Sequence, residues 1–110
     1  MSQCQSDFIE SNGINMHYTR TGGDKPPLVL AHGFSDDGLC WTPVAKLLAA
    51  NYDVVMVDAR GHGKSAGPET GYGNDQHAAD LAGVIAALGL VRPTLLGHSM
   101  GAMTAIALAG

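Results

Sequence analysis

The feature that most constrains this chain is the stretch 94–103. There an apolar run, Thr94-Leu95-Leu96, meets Gly97-His98-Ser99-Met100-Gly101 and passes at once into a helix-prone segment. The five residues fit G-x-S-x-G, and the order strand, serine, helix is the context that this pattern requires. A serine hydroxyl attacks well only if it stands clear of the backbone, and a tight strand-to-helix turn holds it there. Such a turn brings the residues two before and two after the serine close together, so neither tolerates a bulky side chain, and Gly97 and Gly101 have none. A helix starting near Met100 also aims free N–H groups at the place where negative charge would develop. The five residues alone fit equally well a serine that merely caps its own helix.

The remainder of the chain supplies context. Its 110 residues allow one domain at most. An apolar fraction of 45% with 15% charged residues is globular in character. The formal charge of −4 and the lack of any basic cluster argue against a nucleic-acid partner. Cys4 and Cys40 form neither a C-x-x-C pair nor a metal spacing, and reduced thiols in a cytoplasmic protein are the expectation. The polar first seven residues lack the apolar core of a signal peptide, and no apolar run is long enough to span a membrane. There are no internal repeats.

In chain order, 7–20 reads as a β-hairpin turning at Asn12-Gly13, with Ile14, Met16 and Tyr18 alternating with polar neighbours. After a Gly- and Pro-rich loop, 28–31 is a continuous apolar run, the mark of a strand buried on both faces. Thr42-Pro43 predicts a helix start, Val44, Leu47 and Leu48 an apolar stripe, and Asn51 a left-handed stop. The next buried strand is 54–57. A helix capped by Asn74 or Asp75 then carries Leu81, Val84, Ile85 and Leu88 on one face and ends at Gly89. Gly83 weakens that helix unless a neighbour needs close approach. Strand–helix units repeated three times predict a parallel sheet, whose ligands sit at the carboxyl ends of its strands. The loops after 31, after 57 and at Ser99 all lie at such ends.

Three motifs carry a resemblance. They are His32-Gly33-Phe34 after the third strand, Asp58-x-Arg60-Gly61-x-Gly63-x-Ser65 after the fourth, and Gly97-His98-Ser99-Met100-Gly101 after the fifth. In this order and spacing the chain resembles the α/β-hydrolase family, in its serine esterase-like branch. The resemblance implies that 1–110 is the N-terminal part of such a domain: a β-hairpin followed by three parallel strand–helix units, with the fifth strand left as an open edge. It implies Ser99 as nucleophile, and an oxyanion hole made by the backbone N–H groups of Phe34 and Met100. It implies a small apolar acyl substrate, with no metal or organic cofactor. Phe34 and Trp41 would line an apolar pocket, although plain packing is the favoured reading of Trp41.

The family order is Ser, then acid, then His. Eleven residues follow Ser99, and none is Asp, Glu or His. The triad acid and base are therefore expected from outside this chain, and the chain alone is expected to be inactive. His98 neighbours Ser99, but successive strand residues point to opposite faces, so it reads as a packed or supporting residue. His32 reads as a loop-fixing residue, His62 as a solvated loop histidine, and Asp58 with Arg60 as a loop-bracing pair. His17 and His77 have no catalytic reading. The open edge predicts self-association or a complementing chain. The alternatives are a non-catalytic half-fold that pairs through that edge, or a related thioester, lactone or carbon–carbon hydrolase or perhydrolase.

Overall fold

The computed structural model describes residues 5–33, 37–68 and 71–109. Strands β1 (Gln5–Ser11) and β2 (Ile14–Arg20) form the expected antiparallel hairpin. Asn12 and Gly13 both take positive φ at its turn, 52° and 80°. Strands β3 (Pro27–Ala31), β4 (Asp53–Val57) and β5 (Thr94–Gly97) are mutually parallel, and the sheet order is β1-β2-β4-β3-β5. The antiparallel β2–β4 seam, Tyr18 opposite Val57, joins hairpin to parallel sheet.

Helix α1 (Thr42–Leu48), preceded by a short 3-10 turn at Gly38–Trp41, leads from β3 to β4. Helices α2 (Asn74–Ala87) and α3 (Met100–Ala109) follow β4 and β5. Period-two alternation with cover on both faces then explains why 28–31 of β3 and 54–57 of β4 are unbroken apolar runs. Leu28, Leu30, Val54 and Met56 face α1 and pack with Ala45. Val29, Val55 and Val57 face the other way and pack with Met16, Leu81 and Val84. Ile85 and Leu88 complete the predicted α2 face.

Three local expectations are corrected. Gly73, in extended conformation, caps α2, so Asn74 and Asp75 lie within its first turn. The Gly73 carbonyl accepts from the N–H groups of Gln76 and His77, leaving no capping task for either side chain. Asn51 is not left-handed; α1 closes through Ala49 in right-handed conformation, with Asn51 and Tyr52 both donating to the Leu48 carbonyl. The stripe of α1 is also rotated. Trp41, Ala45 and Leu48 face the sheet, whereas Val44 is 38% and Leu47 80% exposed. Gly83 is explained by close approach: a Cβ there would lie 2.0 Å from Ser11 Oγ, and that hydroxyl donates to the Asp80 carbonyl at 2.5 Å.

Along β5, the residues facing one way, Thr94, Leu96 and His98, are all exposed. Among the described strands β5 pairs with β3 alone. Met103 and Ile106 on α3 are 51% and 67% exposed beside it. Among the described residues no helix is long and apolar enough to cross a membrane.

Candidate active site

Ser99 sits between the end of β5 and the first residue of α3, with φ 56°, one of three non-glycine residues in the left-handed region among the described residues. That conformation costs a serine about 1 kcal/mol, so the surrounding structure must impose it. The two glycines show how. A Cβ on Gly97 would lie 2.3 Å from the Gly101 carbonyl oxygen, and one on Gly101 would lie 2.0 Å from the Ala31 carbonyl oxygen. The head of α3 is thus seated directly on the backbone at the end of β3. The Ser99 carbonyl accepts from the N–H groups of Ala102 and Met103.

The Ser99 hydroxyl is not consumed in capping its helix. The side chain is exposed, and among the described residues its hydroxyl makes no hydrogen bond. The Met100 N–H, first of α3, likewise has no acceptor among the described residues, while the next amide, Gly101 N–H, donates to the His98 carbonyl. Phe34, the other expected oxyanion donor, lies outside the described residues.

The three carboxyl-end loops do converge. His98 N–H donates to the Ala31 carbonyl at 3.1 Å, tying the exit of β5 to that of β3. His32 Nε2 accepts from Ala59 N–H at 3.0 Å, tying the exit of β3 to that of β4. His32 Nδ1 pairs with the Gly33 carbonyl at 2.7 Å, which fixes its tautomer and confirms it as a loop-holding residue. The ring of His62 lies 5.2 Å from that of His32, and His62 is half-buried instead of fully solvated. His98 is exposed, against the packed reading, because the face of β5 that it shares with Thr94 and Leu96 has no cover. Trp41 packs on the α1 core cluster, as favoured; its buried indole Nε1 has no partner among the described residues.

The loop after β4 is braced, but not by the expected pair. Asp58 takes His17 Nδ1 at 2.7 Å, together with the amides of Gly38 at 2.6 Å and Lys64 at 3.0 Å. Ser65 Oγ donates to the Asp58 carbonyl and accepts from His17 N–H, closing the loop onto β2. Arg60 turns instead to α2, with Nε to Asp80 Oδ2 at 2.6 Å and Nη2 to Asp80 Oδ1 at 2.7 Å. Arg60 Nη1 donates to the Gly71 carbonyl. The Asp80 hydrogen bonds raise the Arg60 pKa, so the guanidinium stays charged although buried. His17 and Asp80 were therefore missed as partners. Asp80 had a visible signal, a lone acid on the apolar side of α2; His17 had none beyond its place in a hairpin.

His77 is buried, and burial pushes its pKa below the ordinary value. Among the described residues Cys40 forms no disulfide, and Cys4 lies outside them. Among the described residues no three His, Cys, Asp or Glu side chains are grouped to hold a metal ion.

The chain is similar in sequence and fold to known proteins. N-formylmaleamate deformylase of Pseudomonas putida is 44% identical over 99 residues, covering 89% of this chain and 37% of its own length. 2-(Acetamidomethylene)succinate hydrolase of Mesorhizobium japonicum is 36% identical over 87 residues, covering 79% and 31%. The crystal structure of Cfl2 from Burkholderia cenocepacia superposes with a TM-score of 0.92 at 30% identity, over 97% of this chain and 37% of that one. The chain thus spans about a third of the length of the curated relatives it matches. The sequence profile described as alpha/beta hydrolase fold matches residues 26–110, and the chain belongs to that family.

Proposed function

We propose that this chain carries the nucleophile and the oxyanion hole of a serine hydrolase. The observation that carries the reading is the exposed Ser99 hydroxyl, held at φ 56° beside the Met100 N–H, neither of them hydrogen-bonded among the described residues. Ser99 Oγ attacks an acyl carbonyl while a base passes its proton to the leaving group. The carbonyl oxygen gains negative charge, which the Met100 N–H receives together with the N–H of Phe34. Collapse expels the leaving group and leaves an acyl-serine, which water then hydrolyses. The acid and the base come from outside the chain. Removing one such donor costs about 3 kcal/mol of transition-state stabilisation in a hydrolase of this kind.

A short ester is the first test substrate. The two relatives above are named for a deformylase and for the hydrolase of an acetamido compound, so small N-acyl amides are the second. Cytoplasmic residence belongs to the same reading. The test is a fluorophosphonate probe followed by peptide mapping, with the C-terminal part of a relative supplied as a second chain. Modification confined to Ser99 is the expected result, and no modification in any combination overturns the reading.

The uncovered side of β5 supports a companion proposal, that a complementing chain or a second copy docks there. Leu96, Met103 and Ile106 are 40%, 51% and 67% exposed, and among the described strands the outer edge of β5 has no partner. Size-exclusion chromatography is expected to show association. A well-folded monomer at all concentrations overturns it, and a stable, well-folded dimer that resists the probe favours the non-catalytic alternative.

A further inference from the structure

Beneath the elbow, between α2 and the head of α3, lies a cavity of about 30 Å³. Its wall includes His77 and Asp80 of α2, and Met100, Gly101 and Thr104 of α3. A water molecule needs a space of roughly 10–15 Å³ and about three hydrogen-bond partners. The space therefore takes one or two waters.

The polar inventory of the wall decides between a wet and a dry cavity. His77 is 5% exposed, yet among the described residues its ring makes no hydrogen bond; its neighbour is the Tyr72 ring at 6.3 Å. Among the described residues Asp80 Oδ1 accepts from Arg60 Nη2 and Asn12 Nδ2, but Oδ2 accepts only from Arg60 Nε, which leaves one lone pair open. Thr104 Oγ1 donates to the Met100 carbonyl at 3.2 Å, which leaves its own acceptor sites open. His77, Asp80 and Thr104, each with hydrogen-bonding capacity to spare, thus line one small space. A water that accepts from His77 and donates to Asp80 and Thr104 has a full set of partners.

We infer that this cavity is a hydration site, in which ordered water links His77 and Asp80 of α2 to Thr104 in the first turns of α3. Burial keeps His77 neutral near pH 7, so its ring offers one N–H donor and one acceptor nitrogen. The linked turn of α3 is the one that Met100 opens, and Asp80 is already clamped by Arg60 from the loop after β4. The water thereby couples the position of the elbow to the braced loop, and His77 acts as a positioning residue.

The test is a high-resolution crystal structure of the full chain, flash-cooled natively and after xenon pressurisation. The expected result is an ordered peak about 3 Å from a His77 ring nitrogen and from Asp80 Oδ2 or Thr104 Oγ1, with no xenon bound. The His77→Leu variant should lose that peak, and His77→Gln, which keeps a donor, should retain it. An empty cavity in the parent, xenon in it, or a direct bond from His77 to a protein acceptor overturns the proposal. The parent alone decides the matter if a variant fails to fold.

Discussion

Replacing Gly101 by Ala tests the seating of the elbow, because two opposed effects can be compared in size. Alanine in a helix is favoured over glycine by about 1 kcal/mol, so on propensity alone the change stabilises. The structure opposes it. The new Cβ would lie 2.0 Å from the Ala31 carbonyl oxygen and 2.8 Å from that of His32, where real contacts do not fall below 3.0 Å. Both obstacles are backbone, so no rotamer change relieves them, and the head of α3 must retreat about 1 Å. Overpacking of this kind costs about 3 kcal/mol at the upper end of its usual range. The net loss is then about 2 kcal/mol. With an unfolding entropy of about 2.1 cal/mol/K per residue over 110 residues, this lowers Tm by about 9 °C. Gly73→Ala is the control: its Cβ meets nothing within 4 Å, and only a cap preference of under about 1 kcal/mol is lost. Thermal unfolding by circular dichroism reads both. In a complemented enzyme the same 1 Å retreat should slow probe labelling about 100-fold. A Gly101→Ala protein that melts within 2 °C of the parent, labelled at the parent rate, would refute the reasoning.

Three further outcomes follow from the same contacts. Ser99→Gly should raise stability by about 1 kcal/mol, because glycine adopts φ 56° without strain, and unchanged unfolding midpoints would contradict a strained elbow. Arg60→Met should cost about 4 kcal/mol by stranding the buried Asp80 carboxylate, and Arg60→Met with Asp80→Leu should recover much of it in urea unfolding; equal losses in both would argue against the pair. His77 has a folded pKa depressed below 6.5, chiefly by burial, with Arg60, His62 and His32 adding to the effect and Asp80 opposing it. The unfolded chain therefore binds the extra proton first, so this contribution is intact above about pH 6.5 and is lost as pH falls below it. The drop in Tm from pH 7.5 to 5.5 should be smaller in His77→Leu than in the parent, and identical drops would remove His77 from the account.

Much of the architecture was legible because its causes are local. Unbroken apolar runs at 28–31 and 54–57 reported two covered faces, and Asn12-Gly13 reported a primed turn. The elbow was legible because its glycines answer a steric demand that the structure makes explicit at 2.3 Å and 2.0 Å. What escaped was set by partners distant in sequence. Asp58 belongs with His17, 41 residues away, and Arg60 with Asp80, 20 away, so reading the loop by itself paired the wrong two. The rotation of α1 depended on where Trp41 came to rest. His98 could be judged packed only on the assumption that β5 is covered on both sides. The cap of α2 passed to Gly73 because a backbone carbonyl does that work as well as a side chain.

Labelling of Ser99 is the most direct measurement. The protein, alone and complemented by the C-terminal part of a relative, is treated with a fluorophosphonate, and the modified residue is located by peptide mass. The account predicts covalent modification at Ser99 in the complemented protein and its loss in Ser99→Ala. Absence of labelling in every combination, or labelling that persists in Ser99→Ala, would contradict it.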